Sequence, residues 1–196
     1  MWVPDRGYLP GELVVVSGPS GCGKSTILRR VVDQLPDRVQ LSISATTRPP
    51  RPAESDGIDY FFMAHDMFLL KKDNGEFLEH AEYGGQRYGT PAAPVFDRLA
   101  AGKTVLLEIE VRGAKQVRDL APSALFVFIK APSFRALELR LRNRRTETDA
   151  EIYRRLQTGR QELSEAHWYD HQLINDDLDR CTGELIAILN SHASGG

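Results

Sequence analysis

The segment GPSGCGKST, residues 18–26, constrains the fold of this chain more than any other stretch. It matches the pattern G-x-x-x-x-G-K-[ST] through two glycines, a lysine and a serine: Gly18, Gly23, Lys24 and Ser25. A short β-branched run, ELVVVSG (12–18), leads into it, and apolar residues at helical spacing follow it over 24–35. A strand, a glycine-rich turn and a helix in that order present backbone amides to phosphate oxygens at a helix N-terminus. The segment therefore predicts an α/β fold with a phosphate-binding loop.

The side chains of this loop match the groups of a nucleotide and its metal ion. The Lys24 ammonium is placed to reach the β- and γ-phosphates, and the Ser25 hydroxyl is a candidate ligand of Mg²⁺. Cys22 is predicted to be a small filler, although a thiol among backbone amides can acquire a lowered pKa. The motif predicts a bound nucleotide but does not say whether water or a second substrate accepts the phosphoryl group.

Strand-like and helix-like segments alternate along most of the chain. Buried strands are predicted over 12–18, 104–110 and 124–131, and further strands over 39–44 and 172–175. Helices are predicted over 24–35, from a Thr90-Pro91 start to about 101, and over 113–119, 133–144, 149–170 and 178–190, with a capping box of Thr148 and Glu151 opening the fifth. This alternation predicts a parallel sheet with helices on both faces. Residues 46–90 interrupt it with short aromatic strand-like pieces, so they are expected to form an insertion.

Composition and charge exclude several classes of protein. The chain has 196 residues and a net charge of −2, with 41% hydrophobic and 27% charged residues, which is typical of a soluble globular protein. This charge balance argues against nucleic acid or a membrane surface as a partner. Cys22 and Cys181 are the only cysteines, so no disulfide framework is expected, and the N-terminal apolar run is too short for a signal peptide. We therefore expect a cytoplasmic protein.

Arginines mark two further stretches. Arg48 and Arg51 lie three residues apart in the proline-broken segment RPPRP, where guanidinium groups on a stiff loop are suited to a second phosphate. The competing interpretation is a proline-rich surface turn. Eight arginines also fall within 135–160, where the simplest interpretation is a solvated helix face with ion pairs. These alternatives stay open on the residues alone.

In combination, these segments resemble those of guanylate kinases. The phosphate loop is followed by SISATTRPPRPAESDGIDYFF, GEFLEHAEYGGQRYGT, RLRNRRTET and INDDLD, in the order and at the spacing of that family, and the resemblance covers nearly the whole chain. It implies a P-loop parallel sheet with helices on both faces, an inserted small mixed α/β region that binds GMP, and a helical lid. The implied division is a core of 1–45, 91–138 and 159–196, a GMP-binding insertion of 46–90 and a lid of 139–158. It also implies ATP and GMP as substrates and Mg²⁺ as cofactor.

The resemblance assigns roles to individual residues. Those implied to bind ATP are the loop and one asparagine near the adenine: Gly18, Pro19, Ser20, Gly21, Cys22, Gly23, Lys24, Ser25, Thr26 and Asn175. Those implied to bind the phosphate or base of GMP are Ser44, Arg48, Arg51, Tyr60, Glu79, Tyr88, Thr90, Glu108 and Glu110. The implied catalytic cations are Lys24, Arg48, Arg140, Arg144 and Arg155, and Ser25 is the implied Mg²⁺ ligand.

The chemistry of the residues supports the guanine assignment independently. Guanine presents N1–H and the 2-amino group as adjacent donors, which one carboxylate such as Glu79 accepts together, whereas adenine presents a bare N1 acceptor. The alternative for Glu79 is a strand carboxylate that faces water. The segment EIEVRG departs from the family at Glu110 and Arg112, so either Glu108 or Glu110 carries the acidic role. Arg145 stands where the family has glycine.

Two rival functions are weighed against the kinase. One is a non-catalytic guanylate-kinase-like module that binds proteins, and the intact Gly23, Lys24 and Ser25 argue against it. The other is a phosphate-loop kinase for a different acceptor, such as a phosphorylated sugar, and the guanine-facing residues argue against that. The expected oligomeric state is a monomer or a homodimer.

Overall fold

The structure is a computed structural model that describes residues 9–143 and 148–193. Its strands are β1 (Leu13–Ser17), β2 (Val39–Leu41), β3 (Ala45–Thr46), β4 (Phe61–Phe62), β5 (Phe77–Tyr83), β6 (Gln86–Pro91), β7 (Thr104–Glu108), β8 (Leu125–Lys130) and β9 (His171–Ile174). Its α-helices are α1 (Lys24–Gln34), α2 (His65–Asp73), α3 (Ala92–Ala100), α4 (Val111–Leu120), α5 (Phe134–Asn143), α6 (Asp149–Ser164) and α7 (Leu178–Ala193), and a 3₁₀ helix spans Ala166–Trp168. Within the described ranges, no helix combines the length and the apolar character needed to cross a bilayer.

Five strands form a fully parallel sheet in the order β2-β7-β1-β8-β9. The middle strand β1 is apolar on both faces because helices cover both. Val14 and Val16 belong to a core cluster with residues of α1, α5, α6 and α7, whereas Val15 belongs to a cluster with residues of α3 and α4. This is the predicted P-loop architecture. Since ligands of such sheets bind outside the carboxyl ends of the strands, the ends of β1 and β7 mark the expected site.

A second sheet, in the order β4-β3-β6-β5, comes from the stretch that interrupts the alternation. Its strands β5 and β6 form an antiparallel hairpin. The two turn residues, Gly84 and Gly85, have φ values of 60° and 75°, which a tight turn with the right-handed twist of the strands requires. The register places Glu79 opposite Thr90, and β5 packs against α4. The hairpin therefore reaches the core where α4 begins, close to the carboxyl end of β7.

Two predicted boundaries in this region are wrong. The strand predicted over 39–44 ends at Leu41. Thr90 does not cap a helix, because the pairing of β6 with β5 continues to Pro91, and Pro91 itself is the N-cap of α3. A local sequence signal for a helix start is overridden here by strand pairing with a distant segment.

The long helix predicted over 149–170 is confirmed at its start and shorter at its end. Its capping box is present, since the Glu151 N–H donates to the Thr148 hydroxyl at 3.3 Å and the Thr148 N–H donates to the Glu151 carboxylate at 2.7 Å. α6 then ends at Ser164, before the 3₁₀ helix.

Candidate active site

The phosphate loop connects β1 to α1 through residues 18–23. Two of its glycines have backbone angles that other residues rarely adopt, with φ of 149° at Gly18 and 98° at Gly23. They are also closely surrounded. A Cβ at Gly18 would lie 2.1 Å from the carbonyl oxygen of Ile129, and one at Gly23 would lie 2.3 Å from Nδ2 of Asn175. A side chain at either position would therefore clash, and the two glycines let the loop turn closely at the N-terminus of α1, where its amides can meet phosphate oxygens.

Lys24 and Ser25, the first residues of α1, have different partners. Nζ of Lys24 donates to the carbonyl oxygens of Gly18 at 2.5 Å and Pro19 at 3.4 Å, within the loop. Oγ of Ser25 donates to Oε1 of Glu108 at 2.7 Å. Glu108 ends β7, which pairs with β1, so the sheet itself brings this carboxylate to the loop. A hydroxyl and a carboxylate side by side are oxygen ligands of the kind that Mg²⁺ prefers.

Two further glutamates approach Lys24 from other elements. Glu110 is the N-cap of α4, and burial raises its pKa while the Lys24 charge lowers it. Glu162, on α6, is 8% exposed, and burial raises its pKa to about 7 against the opposing effect of Lys24. Glu108 and Glu110 are alternatives on the sequence alone. Their positions differ, because Glu108 contacts Ser25 whereas Glu110 occupies the N-cap position of α4 without a side-chain hydrogen bond to the helix, and which of them carries the acidic role stays a prediction.

Glu162 is not among the residues predicted from the sequence, although a signal for it exists. It continues a buried stripe of α6 at helical spacing that includes Ile152, Leu156 and Gly159. A glutamate on the apolar stripe of a helix is costly unless its charge has a partner or a purpose. This pattern is the one that could have identified it.

Arginines of the predicted lid differ in what their side chains contact: Arg155 contacts the phosphate loop, whereas Arg142 faces solvent. Nη1 of Arg155 donates to the Ser20 hydroxyl of the phosphate loop at 2.7 Å. Arg142 instead pairs with Glu138 at 2.9 Å on the exposed side of α5. Arg144, a predicted catalytic residue, lies outside the described residues. The solvated-face interpretation therefore holds for Arg142 and not for Arg155.

Asn175 lies against the phosphate loop, immediately after β9. Its side-chain Nδ2 donates to the backbone carbonyl oxygen of Cys22 at 2.7 Å. The backbone carbonyl oxygen of Asn175 accepts a hydrogen bond from Nη2 of Arg140 at 2.8 Å. Arg140 also donates to the Cys22 carbonyl at 3.2 Å. Cys22 is fully buried, and burial raises the pKa of its thiol. Both agree with the prediction that Cys22 fills space in the loop and is not a reactive thiol. Arg140 and Asn175 thus bind the backbone of the loop, while their roles toward phosphate and adenine stay predictions.

The two arginines of the proline-rich loop share one carboxylate. Nη2 of Arg48 donates to Oε1 of Glu54 at 2.9 Å, and the Arg51 N–H donates to Oε2 of Glu54 at 2.8 Å. The Arg51 guanidinium lies 3.8 Å from the same carboxylate and is 70% exposed, whereas the Arg48 side chain is 15% exposed. The hydrogen bond from Arg48 lowers the pKa of Glu54. Glu54 was not among the site residues predicted from the sequence. The signal for it in the sequence is its place three residues after Arg51.

Aromatic rings surround the Arg48 guanidinium. Its central carbon lies 5.4 Å from the ring centroid of Tyr60 and 5.8 Å from that of Phe62. The Tyr60 and Tyr88 rings meet edge to face, with centroids 6.2 Å apart. The hydrogen bond with Glu54, and to a smaller extent one with Tyr88, raises the pKa of Arg48. The structure therefore brings Arg48, Tyr60 and Tyr88 into one group.

Glu79 is a buried carboxylate on β5. Its exposure is 5%, and the Thr90 hydroxyl, directly opposite on β6, donates to its Oε1 at 2.7 Å. Burial raises its pKa to about 7, although the Thr90 hydrogen bonds act in the opposite direction. The alternative of a water-facing strand carboxylate is therefore wrong.

One cavity extends from the phosphate loop to the segments that flank β3 and β4. Its volume is about 1080 Å³. The predicted site residues and their partners in its walls are Lys24, Ser25, Ser44, Glu54, Tyr60, Glu108, Glu110, Arg155 and Glu162. Five predicted GMP-site residues do not line it: Arg48, Arg51, Glu79, Tyr88 and Thr90. A second cavity of about 690 Å³, beside α3, is lined mainly by apolar side chains and by none of the predicted site residues. The first cavity has the size and polar groups of a nucleotide site.

Comparisons with known proteins agree with this geometry. The family model for guanylate kinase matches residues 11–192. Guanylate kinases from Rubrobacter xylanophilus and from Synechococcus sp. strain CC9902 are 44% and 48% identical to this chain, over 95% and 89% of it and 97% and 93% of their own lengths. The crystal structure of guanylate kinase from Anaplasma phagocytophilum is similar with a TM-score of 0.76 and 29% identity, over 95% of this chain and 88% of that one. The chain, with its phosphate loop, buried carboxylate and paired arginines on one scaffold, belongs to the guanylate kinase family.

Proposed function

We propose that the protein transfers the γ-phosphate of ATP to the 5′-phosphate of GMP or dGMP, giving ADP and GDP or dGDP, in purine nucleotide metabolism. The observation that carries this proposal is one cavity that reaches from the phosphate loop to Glu54, the carboxylate that binds both arginines of the proline-rich loop, although the two arginines do not line the cavity themselves. Lys24 and Ser25 of the phosphate loop line it, and so does Glu54, which holds Arg48 and Arg51. A hydrolase needs one phosphate site, whereas a kinase for a phosphorylated acceptor needs two.

The donor side of the reaction is assigned to the loop and the residues that contact it. The loop amides and Lys24 bind the β- and γ-phosphates of ATP. Arg155, which reaches the loop at Ser20, neutralises charge that spreads over the transferred group. Arg144 is proposed to join it on lid closure. Asn175 stays the proposed neighbour of the adenine.

The acceptor side is assigned to Arg48, Arg51, Tyr60 and Tyr88, which hold the GMP phosphate. Its oxygen is already ionised at neutral pH, so the reaction needs no general base. The protein contributes alignment of the two phosphates and neutralisation of their charge.

Mg²⁺ fits the residues that are present. The Ser25 hydroxyl and the Glu108 carboxylate lie 2.7 Å apart at the end of the sheet, and both are oxygen ligands. Among the described residues there is no cluster of three or more histidines, cysteines or carboxylates for a metal. One or two protein ligands are enough for Mg²⁺, because waters and phosphate oxygens complete its coordination shell. Ser25 and Glu108 would hold the ion, which supplies neutralisation of the phosphate charge when bound.

Guanine selection is assigned to Glu79, with Ser44 and Thr90 beside the base. An ionised Glu79 accepts hydrogen bonds from N1–H and the 2-amino group together, while Thr90 occupies its other oxygen. Adenine in the same place would leave a buried carboxylate facing an acceptor, which is strongly unfavourable. Glu110, held at the N-terminus of α4, adds negative charge near this pocket.

Several wider statements belong to the proposal. The division into core, GMP-binding insertion and lid keeps the boundaries given by the sequence. A cytoplasmic location, monomeric or homodimeric state, and the absence of nucleic acid or membrane partners are also proposed. The non-catalytic protein-binding module has no support, since Gly23, Lys24 and Ser25 of the phosphate loop are intact.

A substrate panel tests the proposal. ADP release is measured by a coupled assay with ATP, Mg²⁺ and each of GMP, dGMP, AMP, CMP and UMP. We expect GMP to exceed AMP in kcat/KM by roughly 10⁴ or more, because the wrong base leaves buried polar groups unpaired. Lys24→Ala is the control for background turnover. Release of ADP that does not depend on any nucleoside monophosphate would contradict the proposal, as would equal turnover of GMP and AMP.

A further inference from the structure

The guanine-facing carboxylate lies directly against a helical glycine. Gly113 is the third residue of α4, the helix that packs on β5. A Cβ at Gly113 would lie 2.5 Å from Oε2 of Glu79 and 3.0 Å from its carboxyl carbon. The first distance is shorter than real Cβ contacts, and the second is at their lower limit. The Glu79 carboxyl group therefore occupies space that every other residue type at position 113 would fill.

The backbone gives no reason for glycine at this position. Gly113 lies inside a regular helix and is not among the glycines with left-handed φ. Glycine in a helix is less favourable than alanine because it loses more conformational freedom on folding. Its neighbours on the same buried face are larger, for example Val111, Ala114 and Val117. The missing side chain is thus explained by Glu79 and not by the helix.

Glu79 cannot step aside without losing its geometry. It is 5% exposed, and Oε1 is held by the Thr90 hydroxyl at 2.7 Å while Oε2 faces Gly113. The atoms nearest to a methyl group at position 113 would be the end of the Glu79 side chain and not backbone. An added methyl group would therefore displace the carboxylate and leave the helix in place.

We infer that Gly113 is a positioning residue for guanine selection: its lack of a side chain lets the Glu79 carboxylate sit where it meets the N1–H and 2-amino donors of GMP. This inference rests on the proposed function of Glu79. It assigns Gly113 no contact with the substrate. Selection of the base then depends on a pair of residues from two elements, β5 and α4.

The test is Gly113→Ala, with Gly183→Ala as the matched control. Gly183 lies in α7, and a Cβ there would meet nothing within 4 Å. We expect Gly113→Ala to lower kcat/KM for GMP by roughly tenfold to a hundredfold, as small displacements of an aligned group do. The KM for ATP and the melting temperature should stay near the wild-type values. The preference for GMP over inosine monophosphate, which lacks the 2-amino group, should shrink. Gly183→Ala should leave the kinetic constants and the preference for GMP unchanged, and should raise the melting temperature slightly because alanine is favoured over glycine in a helix.

A second variant separates positioning from a packing defect. Glu79→Asp shortens the side chain by one methylene and makes room for the methyl group. We expect Gly113→Ala to change GMP efficiency by less than about twofold in that background, since coupled residues are non-additive. An undiminished loss there would overturn the inference. So would a GMP efficiency of Gly113→Ala within threefold of wild type, or a loss that falls equally on ATP and on the melting temperature. If Glu79→Gln loses GMP efficiency while Gly113→Ala does not, only this inference fails; if neither does, the proposed guanine site fails.

Discussion

Replacing Glu79 by glutamine changes the charge of the proposed guanine pocket and keeps its shape. The glutamine oxygen can still accept the Thr90 hydroxyl, which donates to Glu79 at 2.7 Å. The other position then becomes an amide donor facing the N1–H and amino donors of guanine. Loss of a charge-assisted hydrogen-bond pair costs about 2–4 kcal/mol. At about 1.4 kcal/mol per factor of ten, kcat/KM for GMP should fall roughly 30-fold to 1000-fold.

The same substitution should make the folded protein more stable at alkaline pH. Burial raises the pKa of Glu79 from the ordinary 4.5 to about 7, so the folded state holds this proton to higher pH than the unfolded state does. Stability therefore falls as the pH rises from about 4.5 to 7, and the loss is complete above 7. A difference of that size corresponds to about 3 kcal/mol. Glutamine has no such proton to lose, so Glu79→Gln should exceed wild type by about this amount at pH 8 and by little at pH 4.5.

Two measurements on Glu79→Gln check the expected fall in kcat/KM for GMP and the expected rise in stability at pH 8. Steady-state kinetics with GMP and AMP give the change in efficiency, and AMP should become no worse a substrate. Urea unfolding at pH 4.5 and pH 8 gives the change in stability. Glu82→Gln is the matched control, since Glu82 is on the same strand and its side chain is 56% exposed. A GMP efficiency within threefold of wild type would refute the guanine site, and an unchanged stability at pH 8 would refute the burial argument.

Four further variants test other parts of the site. Lys24→Ala should abolish transfer with the fold intact, and more than a tenth of the wild-type kcat in the purified variant would contradict the phosphate-loop assignment. Arg144→Ala should lower kcat far more than it raises the KM for GMP, because a residue of the proposed lid would act mainly in the closed complex; a change confined to KM would show ground-state binding. Glu54→Ala should raise the KM for GMP about tenfold with a nearly constant kcat, because it frees the Arg48 guanidinium held at 2.9 Å; an unchanged KM would count against it. Glu162→Gln should raise stability to urea at pH 8 by up to about 3 kcal/mol and little at pH 4.5, since burial raises the Glu162 pKa to about 7; equal effects at both pH values would oppose this.

Local spacing in the sequence was sufficient to predict the phosphate loop, the parallel core and the stretch that interrupts the strand–helix alternation. The loop motif is a run of nine residues whose geometry depends mainly on its own glycines and on the strand and helix beside it. Buried parallel strands are apolar on both faces, so they are visible as short β-branched runs. The paired arginines and Glu79 could be proposed as site residues because the family motifs that carry them are themselves short. These features depend on neighbours along the chain.

Only the tertiary structure decided which side chains meet across elements. Glu108 and not Glu110 contacts Ser25 because β7 lies beside β1 in the sheet, an order that no local pattern specifies. Thr90 belongs to a strand and bonds Glu79 because hairpin pairing overrides its helix-start signal. Gly113 is explained only by a carboxylate that comes from a segment more than thirty residues earlier in the chain. Side-chain contact between distant segments follows from strand order, register and packing, and these are determined by the whole core together.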